Sequence, residues 1–181
     1  MIRTTGAAAR HTSFGAAVMC ASMLVGCSPA LDWREINPED SGASALFPCR
    51  PENRVRQVNL SGVAMEMHLA SCTAAGSNYA LSHVDVVDPL KVAPVLQELQ
   101  RLAANNVGGA PSASGPYNVP GMAPSEWAMR LVVKGARGDG VSIEADAVFF
   151  ARGSVVYQAT AVGSRLDKEA TDTFFASLKV R

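Results

Sequence analysis

The sequence has no excess of charge of either sign, few aromatic residues and no long apolar run. Its 181 residues include 16 Lys and Arg and 16 Asp and Glu, so the formal net charge is +0. Without a basic excess, nucleic acid is not an expected partner. Aromatic residues make up 6% of the chain, but apolar residues make up 48%, which is enough to build one folded domain. No run reaches the ~18 apolar residues that are typical of a transmembrane helix.

Motifs of catalysis and metal binding are also missing. The chain contains no Gly-x-Ser-x-Gly, His-Glu-x-x-His or Ser-x-x-Lys sequence. Glu144 and Asp146 share one face of a predicted strand and are interpreted as its solvent side. His83, Asp85 and His68 could ligate a metal, but their pattern is typical of ordinary surface residues. We therefore expect no enzyme activity, no cofactor and no metal, while a hydrolytic site built from distant residues stays open.

The first 26 residues combine cations with a short apolar segment. Arg3 and Arg10 precede the apolar residues 12–26, which is the pattern of a signal peptide. This segment is shorter than the ~20 residues of a spanning helix. We therefore expect residues 1–26 to be removed during export.

The end of this segment resembles the lipobox of bacterial lipoproteins. It reads LVGC over residues 24–27. The resemblance implies cleavage between Gly26 and Cys27, lipidation of Cys27, and a tether over residues 27–42. Ser28 resembles the sorting residue of lipoproteins held in the outer membrane and facing the periplasm. The alternative is an ordinary secretory peptide that ends beside a chance cysteine.

Two cysteines remain if Cys27 carries lipid and Cys20 leaves with the signal peptide. Cys49 and Cys72 each end a predicted strand, and an exported protein meets an oxidising environment. We expect them to form a disulfide that stabilises the fold by roughly 3 kcal/mol. The alternative, a redox-active pair, lacks the Cys-x-x-Cys spacing that lowers a thiol pKa.

Periodicity in the rest of the chain predicts strands and two helices. Apolar and polar residues alternate over 63–70, as in a strand with one buried face. Apolar residues recur at helical spacing between residues 90 and 106 and again over 167–178. The predicted strands cover residues 44–48, 55–60, 63–70, 79–84, 128–134, 141–151 and 154–162. The order ββββ-α-βββ-α predicts a single α+β domain over 43–181, with two helices covering a largely antiparallel sheet of about seven strands.

Residues 105–126 are irregular in composition. They hold four Gly and four Pro and show no regular period. An irregular segment of ~20 residues in a compact domain is typically mobile or functional. Tyr117, Met122 and Trp127 favour a binding loop, and the alternative is a flexible surface insertion.

Two segments resemble small bacterial envelope lipoproteins and periplasmic domains with the PsbP-like α/β/α fold. One is LFPCRP at the start of the domain, and the other is the last long strand with the helix after it. The matching residues are Phe47, Pro48, Pro51, Tyr157, Phe175, Ser177 and Leu178. The resemblance implies the fold but no reaction, because members of the group serve as accessory or assembly subunits.

These patterns together predict a non-enzymatic, lipid-anchored domain of the cell envelope. Its expected partners are the membrane, reached through the lipid, and another envelope protein, bound by an exposed sheet face or by the 105–126 loop. The alternative is a periplasm-facing lipoprotein that binds a small ligand or a metal beneath that loop. A large exposed apolar patch would favour a protein partner, and a closed concave pocket would favour a ligand.

Overall fold

The chain folds into long antiparallel strands and two helices. A computed structural model describes residue 1, residues 31–136 and residues 138–181, so Gly26, Cys27 and the predicted signal peptide beyond Met1 lie outside the described residues. The elements are β1 (Arg34–Ile36), β2 (Ala43–Phe47), β3 (Glu52–Leu60), β4 (Val63–Ala74), β5 (Ser77–Asp85), α1 (Val92–Val107), β6 (Pro111–Pro116), β7 (Met129–Ala136), β8 (Ser142–Arg152), β9 (Val155–Gly163), α2 (Lys168–Ala176) and β10 (Lys179–Val180). Within the described residues, no helix is long and apolar enough to cross a membrane.

Seven strands form one sheet in the order β3-β4-β5-β9-β8-β7-β6, and every neighbouring pair is antiparallel. Tight turns at Ser61-Gly62 and Ala75-Gly76 join β3 to β4 and β4 to β5, and each turn residue has a positive φ. Paired positive φ values match the twist of antiparallel strands and so fix the register of both hairpins. The expected α+β class, with a large antiparallel seven-stranded sheet and two helices, is confirmed.

Both faces of this sheet are covered. On one face, α1 buries Val95, Leu96 and Leu99 in an apolar cluster with the sheet. On the other face lie α2 and a small sheet with the order β1-β2-β10. There the ring of Phe174 contacts Phe47, with centroids 5.2 Å apart. The cover stops short of β3, where residues 52–57 are exposed, so the use of an exposed sheet face in binding stays a prediction.

The prediction of an irregular loop over residues 105–126 is wrong for part of this segment. Helix α1 continues to Val107 and ends at Gly108, which has a φ of 67°. Residues Pro111–Pro116 then form β6, which pairs with β7 at the edge of the sheet. Proline cannot donate to a strand ladder, so sheets tolerate it at an edge. The composition that suggested a loop is therefore compatible with an edge strand.

The element order also differs from the predicted one at both ends of the domain. The strand predicted at 44–48 lies in the small sheet, and β6 takes its place as the seventh strand of the large one. Within the predicted tether, Arg34 pairs with Phe47, and Asp32 N donates to Pro48 O at 2.8 Å. The chain is therefore docked on the domain from about residue 31. Strands as short as β1 and β10 carry too little periodic signal to be read from sequence.

Candidate functional site at the free edge of the sheet

Strand β3 forms a long exposed edge of the seven-stranded sheet. Among the described strands it pairs with β4 alone, and residues 52–57 are exposed. Val55, near its middle, is 54% exposed. The outer backbone N–H and C=O groups of such an edge are a template for a further strand. No proline interrupts the nine residues of β3.

A pair of stacked histidines lies beside this edge. His68 on β4 is the register partner of both Val55 and His83. The two imidazole centroids are 4.9 Å apart, with 20° between the ring planes. The row continues to Tyr157 on β9, whose ring centroid lies 6.2 Å from that of His83. Rings on neighbouring strands thus line one face of the sheet next to β3.

His83 is buried, which corrects the expectation of an ordinary surface histidine. It is 5% exposed, and its Nδ1 has no hydrogen-bond partner among the described residues. Burial lowers the pKa of His83, the neighbouring His68 lowers it further, and Asp40 acts in the opposite direction. Pro38 and Glu39 lie across a small cavity from the two histidines, and the Tyr157 hydroxyl holds this segment, the cover of His83, by donating to Ser41 O.

A small cavity separates this cover from the edge. Its volume is about 70 Å³, and its lining residues are Pro38, Glu39, Asn53, Arg54, Val55, His68, Leu69, Ala70 and His83. Small-molecule sites typically have volumes of about 300 Å³ or more. The cavity is therefore a shallow depression beside β3, and it is too small for an organic ligand.

The predicted metal-ligand residues do not form a centre. Asp85 accepts a hydrogen bond from Val87 N at 2.8 Å, and this bond is the main cause of the lowered pKa of Asp85. His68 Nε2 lies 3.2 Å from Glu66 Oε1. Within residues 31–136 and 138–181, no group of three or more His, Cys, Asp or Glu residues has a geometry that could hold a metal ion.

A partly buried set of ion pairs joins the sheet to α2, and sequence reasoning missed it. Arg130 donates to both carboxylate oxygens of Asp146, at 2.9 and 2.6 Å, and to Asp172 Oδ1 at 2.8 Å. These bonds raise the pKa of Arg130. Asp146 is 6% exposed, so its assignment to a solvent face is wrong. The sequence did contain an indication of this burial. From Ala145 to Ala151, apolar residues occupy both faces of the strand, as in a strand that is covered on both sides.

Glu144, the other member of that predicted carboxylate pair, has a separate partner. Its Oε1 lies 3.2 Å from Lys134 Nζ. Each carboxylate of the predicted pair is therefore neutralised by a basic residue of β7, Glu144 by Lys134 and Asp146 by Arg130. This arrangement serves packing and leaves neither group as an unpaired general base.

The predicted binding-loop residues contact the core. Tyr117 and Met122 are half-buried against the cluster under α2, and Trp127 is half-buried against the cluster under α1. Burial raises the pKa of Tyr117. Gln100 Nε2 donates to Trp127 O at 2.8 Å. These contacts give the three side chains packing roles, and their role in binding stays a prediction.

The rest of this segment is held against the C-terminal strand. Val180 N donates to Pro120 O at 2.9 Å. Gly121, with a φ of 86°, lies so close that an added Cβ would be 1.9 Å from Val180 O. The segment after β6 is therefore a fixed part of the domain.

The predicted cysteine pair lies at the end of the sheet that contains the β4–β5 turn. The Sγ atoms of Cys49 and Cys72 are 2.06 Å apart, at disulfide distance. The bond would tie the segment before β3 to the neighbouring strand β4. A wider open cleft borders the pair, with a volume of about 480 Å³ and with Arg50, Glu52 and Arg54 among its lining residues.

Comparison with known proteins gives no relative from which the role of this site could be inferred. No protein-family profile matches the chain, and no curated protein matches it significantly.

Proposed function

We propose that the protein is a non-enzymatic, lipid-anchored domain of the cell envelope that binds an extended segment of another envelope protein along β3. The LVGC motif at residues 24–27 supports the anchor, with lipid on Cys27 and an outer-membrane location facing the periplasm. The observation that carries the binding mode is the long exposed edge of β3. Strand addition uses main-chain hydrogen bonds for affinity and alternate side chains for specificity.

The side chains of β3 favour a segment with an apolar residue beside Val55 and an acidic residue opposite Arg56. Val55 faces the same side as His68, beside the small cavity. Arg56 faces the α1 side and has no carboxylate within 4.0 Å among the described residues, whereas Arg54 is paired with Glu52 at 2.9 Å. An opposite charge directly across two strands stabilises their pairing. An acidic residue opposite Arg56 would therefore fix the register of the incoming strand.

The alternative of a small-ligand or metal-binding lipoprotein has less support. The cavity beside the histidines is about 70 Å³ in volume, and the cleft beside Cys49 and Cys72, at about 480 Å³, is large enough for a ligand but is open to solvent rather than enclosed. Membership of the PsbP-like α/β/α group remains part of this proposal. Its support is the layering, with α1 on one face of the sheet and α2 with the small sheet on the other.

Photo-crosslinking in cells tests the binding mode. A benzophenone amino acid is placed at Val55 or at Gln57, both exposed on β3, and at Ser112 on β6 as the matched edge control. We expect one dominant protein partner from both β3 positions and none from Ser112. A partner from Ser112 alone, or no partner from β3, would contradict the proposal.

Intact mass of the protein extracted from membranes tests the anchor. The proposal predicts loss of residues 1–26 and the mass of a diacylglyceryl group, with a further acyl chain, on Cys27. Replacing Cys27 with Ser should prevent this modification. An unmodified Cys27 in the wild-type protein would overturn the anchor without bearing on the β3 edge.

A further inference from the structure

We infer that the end of the domain that carries Cys49, Cys72 and the β4–β5 turn rests on the phosphate layer of the bilayer, with Arg50 and Arg165 as its contacts. This inference rests on the proposed lipid anchor at Cys27. Beyond the anchor, it specifies the surface of the domain that faces the membrane and the end of the sheet that points away from it.

The direction in which the chain enters the domain is the first support. Strand β1 runs antiparallel to β2, and Asp32 N donates to Pro48 O, next to Cys49. From Ile36 back to Leu31 the chain therefore runs toward the end where Cys49 meets Cys72. Any lipid on Cys27 is attached to the domain at this end.

The length of chain before this point is the second support. Cys27 and Leu31 are joined by four Cα-to-Cα steps, so they are at most about 14 Å apart in any conformation. Strand β5, from Ser77 to Asp85, is about 27 Å long at the usual rise per residue. The tether is thus about half the length of the sheet. A lipid at the bilayer surface must keep the disulfide end close to the headgroups.

The charges at this end are the third support. Arg50 follows Cys49, and Arg165 follows the end of β9, where Gly163 pairs with Ser77 at the β4–β5 turn. Both arginines are exposed, and neither has a carboxylate within 4.0 Å among the described residues. Among the acids at this end, Glu52 is paired with Arg54, Asp167 caps α2 by accepting a hydrogen bond from Ala170 N, and Glu169 lies in the first turn of α2. Arginine binds phosphate oxygens through paired N–H groups, so lipid phosphates are the matching partner.

The opposite end of the sheet carries the most exposed apolar pair after Met1. Val87 and Leu90 are 83% and 84% exposed. Val86 N donates to Ser154 O in the β8–β9 turn, which places this tip at the far end of β5. On an upright domain the tip points away from the bilayer, and β3 stays open along its length between the two ends.

Paramagnetic relaxation tests this orientation. The full-length protein is purified from membranes, and its intact mass is recorded before it is reconstituted in phosphatidylethanolamine–phosphatidylglycerol vesicles with gadolinium-chelating headgroups. A spin label is attached at Ala75→Cys in the β4–β5 turn or at Leu90→Cys at the far tip. We expect relaxation of the label at residue 75 to be enhanced several-fold more than that of the label at residue 90.

The outcomes separate the orientation from the anchor. Equal enhancement at the two positions, or a larger effect at residue 90, on protein with lipidated Cys27 would overturn the orientation alone. An unmodified Cys27 would overturn the anchor and the orientation that rests on it.

A matched pair of variants tests the arginines. The double variant Arg50→Gln, Arg165→Gln should lower the ratio of the two enhancements at least twofold. Arg56→Gln is the control, because Arg56 is also an exposed arginine, and its register neighbours Met67 and Val84 lie toward the far end. An unchanged ratio in the double variant, or an equal fall in the control, would overturn the phosphate contact.

Discussion

The two edges of the large sheet are built in opposite ways. Strand β6 is short, is bounded by Pro111 and Pro116, and has a register shift between Pro111 and Ala113. Strand β3 is longer, holds no proline and pairs with β4 in unbroken register. Short strands, prolines and bulges are the usual means by which proteins prevent an edge from pairing with other chains. The fold therefore blocks one edge and leaves the other able to accept a strand.

The cysteine pair on the side of the open edge, Cys49 and Cys72, should have the largest effect on the stability of the domain. The double variant Cys49→Ser, Cys72→Ser should lower the free energy of unfolding by roughly 3 kcal/mol, because the closed loop no longer restricts the unfolded chain. Chemical denaturation measures the loss. Reduction of the wild-type protein is the control and should reproduce it. A variant as stable as the oxidised wild type would show that the bond does not stabilise this side of the sheet.

The ion pair near the blocked edge should have the next largest effect. Arg130→Met leaves Asp146 buried without its cation, and we expect a loss of about 2 kcal/mol, less than for a fully buried pair because the Arg130 side chain is 29% exposed. Lys134→Met in the same strand is the control. Its ion pair with Glu144 is more exposed, so its loss should be below about 1 kcal/mol. Equal losses in denaturant titrations would contradict the structural role of Arg130.

The two edges should differ in self-association when threonine is introduced into each of them. In antiparallel pairing of two β3 strands, like charges on Arg54 and Arg56 would repel. The double variant Arg54→Thr, Arg56→Thr should therefore form dimers or larger species in sedimentation velocity. Ser112→Thr, Ser114→Thr on β6 adds the same residue type to the blocked edge and should stay monomeric. Association of the β6 variant, or none of the β3 variant, would remove the contrast between the edges.

The buried histidine beside β3 gives the smallest expected effect, a dependence of stability on pH. The folded-state pKa of His83 lies below its ordinary value of 6.5, so the unfolded chain binds this proton first as pH falls. The free energy of unfolding should therefore decrease as pH drops below 6.5. His83→Phe should flatten this decrease in denaturant titrations between about pH 7.5 and about pH 5.5. An equally steep decrease in the variant would assign it to other groups.

Sequence patterns predicted the parts of the fold that depend on local spacing. The helical spacing of apolar residues identified α1, and the alternation over residues 63–70 identified β4. These features need only neighbours along the chain. The α+β class followed from them.

The patterns failed where partners lie far apart in sequence. Strand β10 pairs with β2, and the proline-bounded β6 is defined by its pairing with β7. Burial of Asp146 depends on Arg130 from another strand, and burial of His83 depends on the segment around Ser41. No local period encodes such contacts. The open edge of β3 was missed for the same reason, because being an edge depends on the order of all the strands.

Hydrogen exchange of the backbone tests the central claim most directly. Mass spectrometry would compare amide exchange in the purified protein with exchange in native envelope membranes. The proposal predicts slower exchange over residues 52–60 in the membranes, because an added strand protects the outer amides of β3, with exchange over residues 111–116 unchanged. Equal exchange over 52–60 in both preparations, or new protection confined to 111–116, would contradict strand addition at β3.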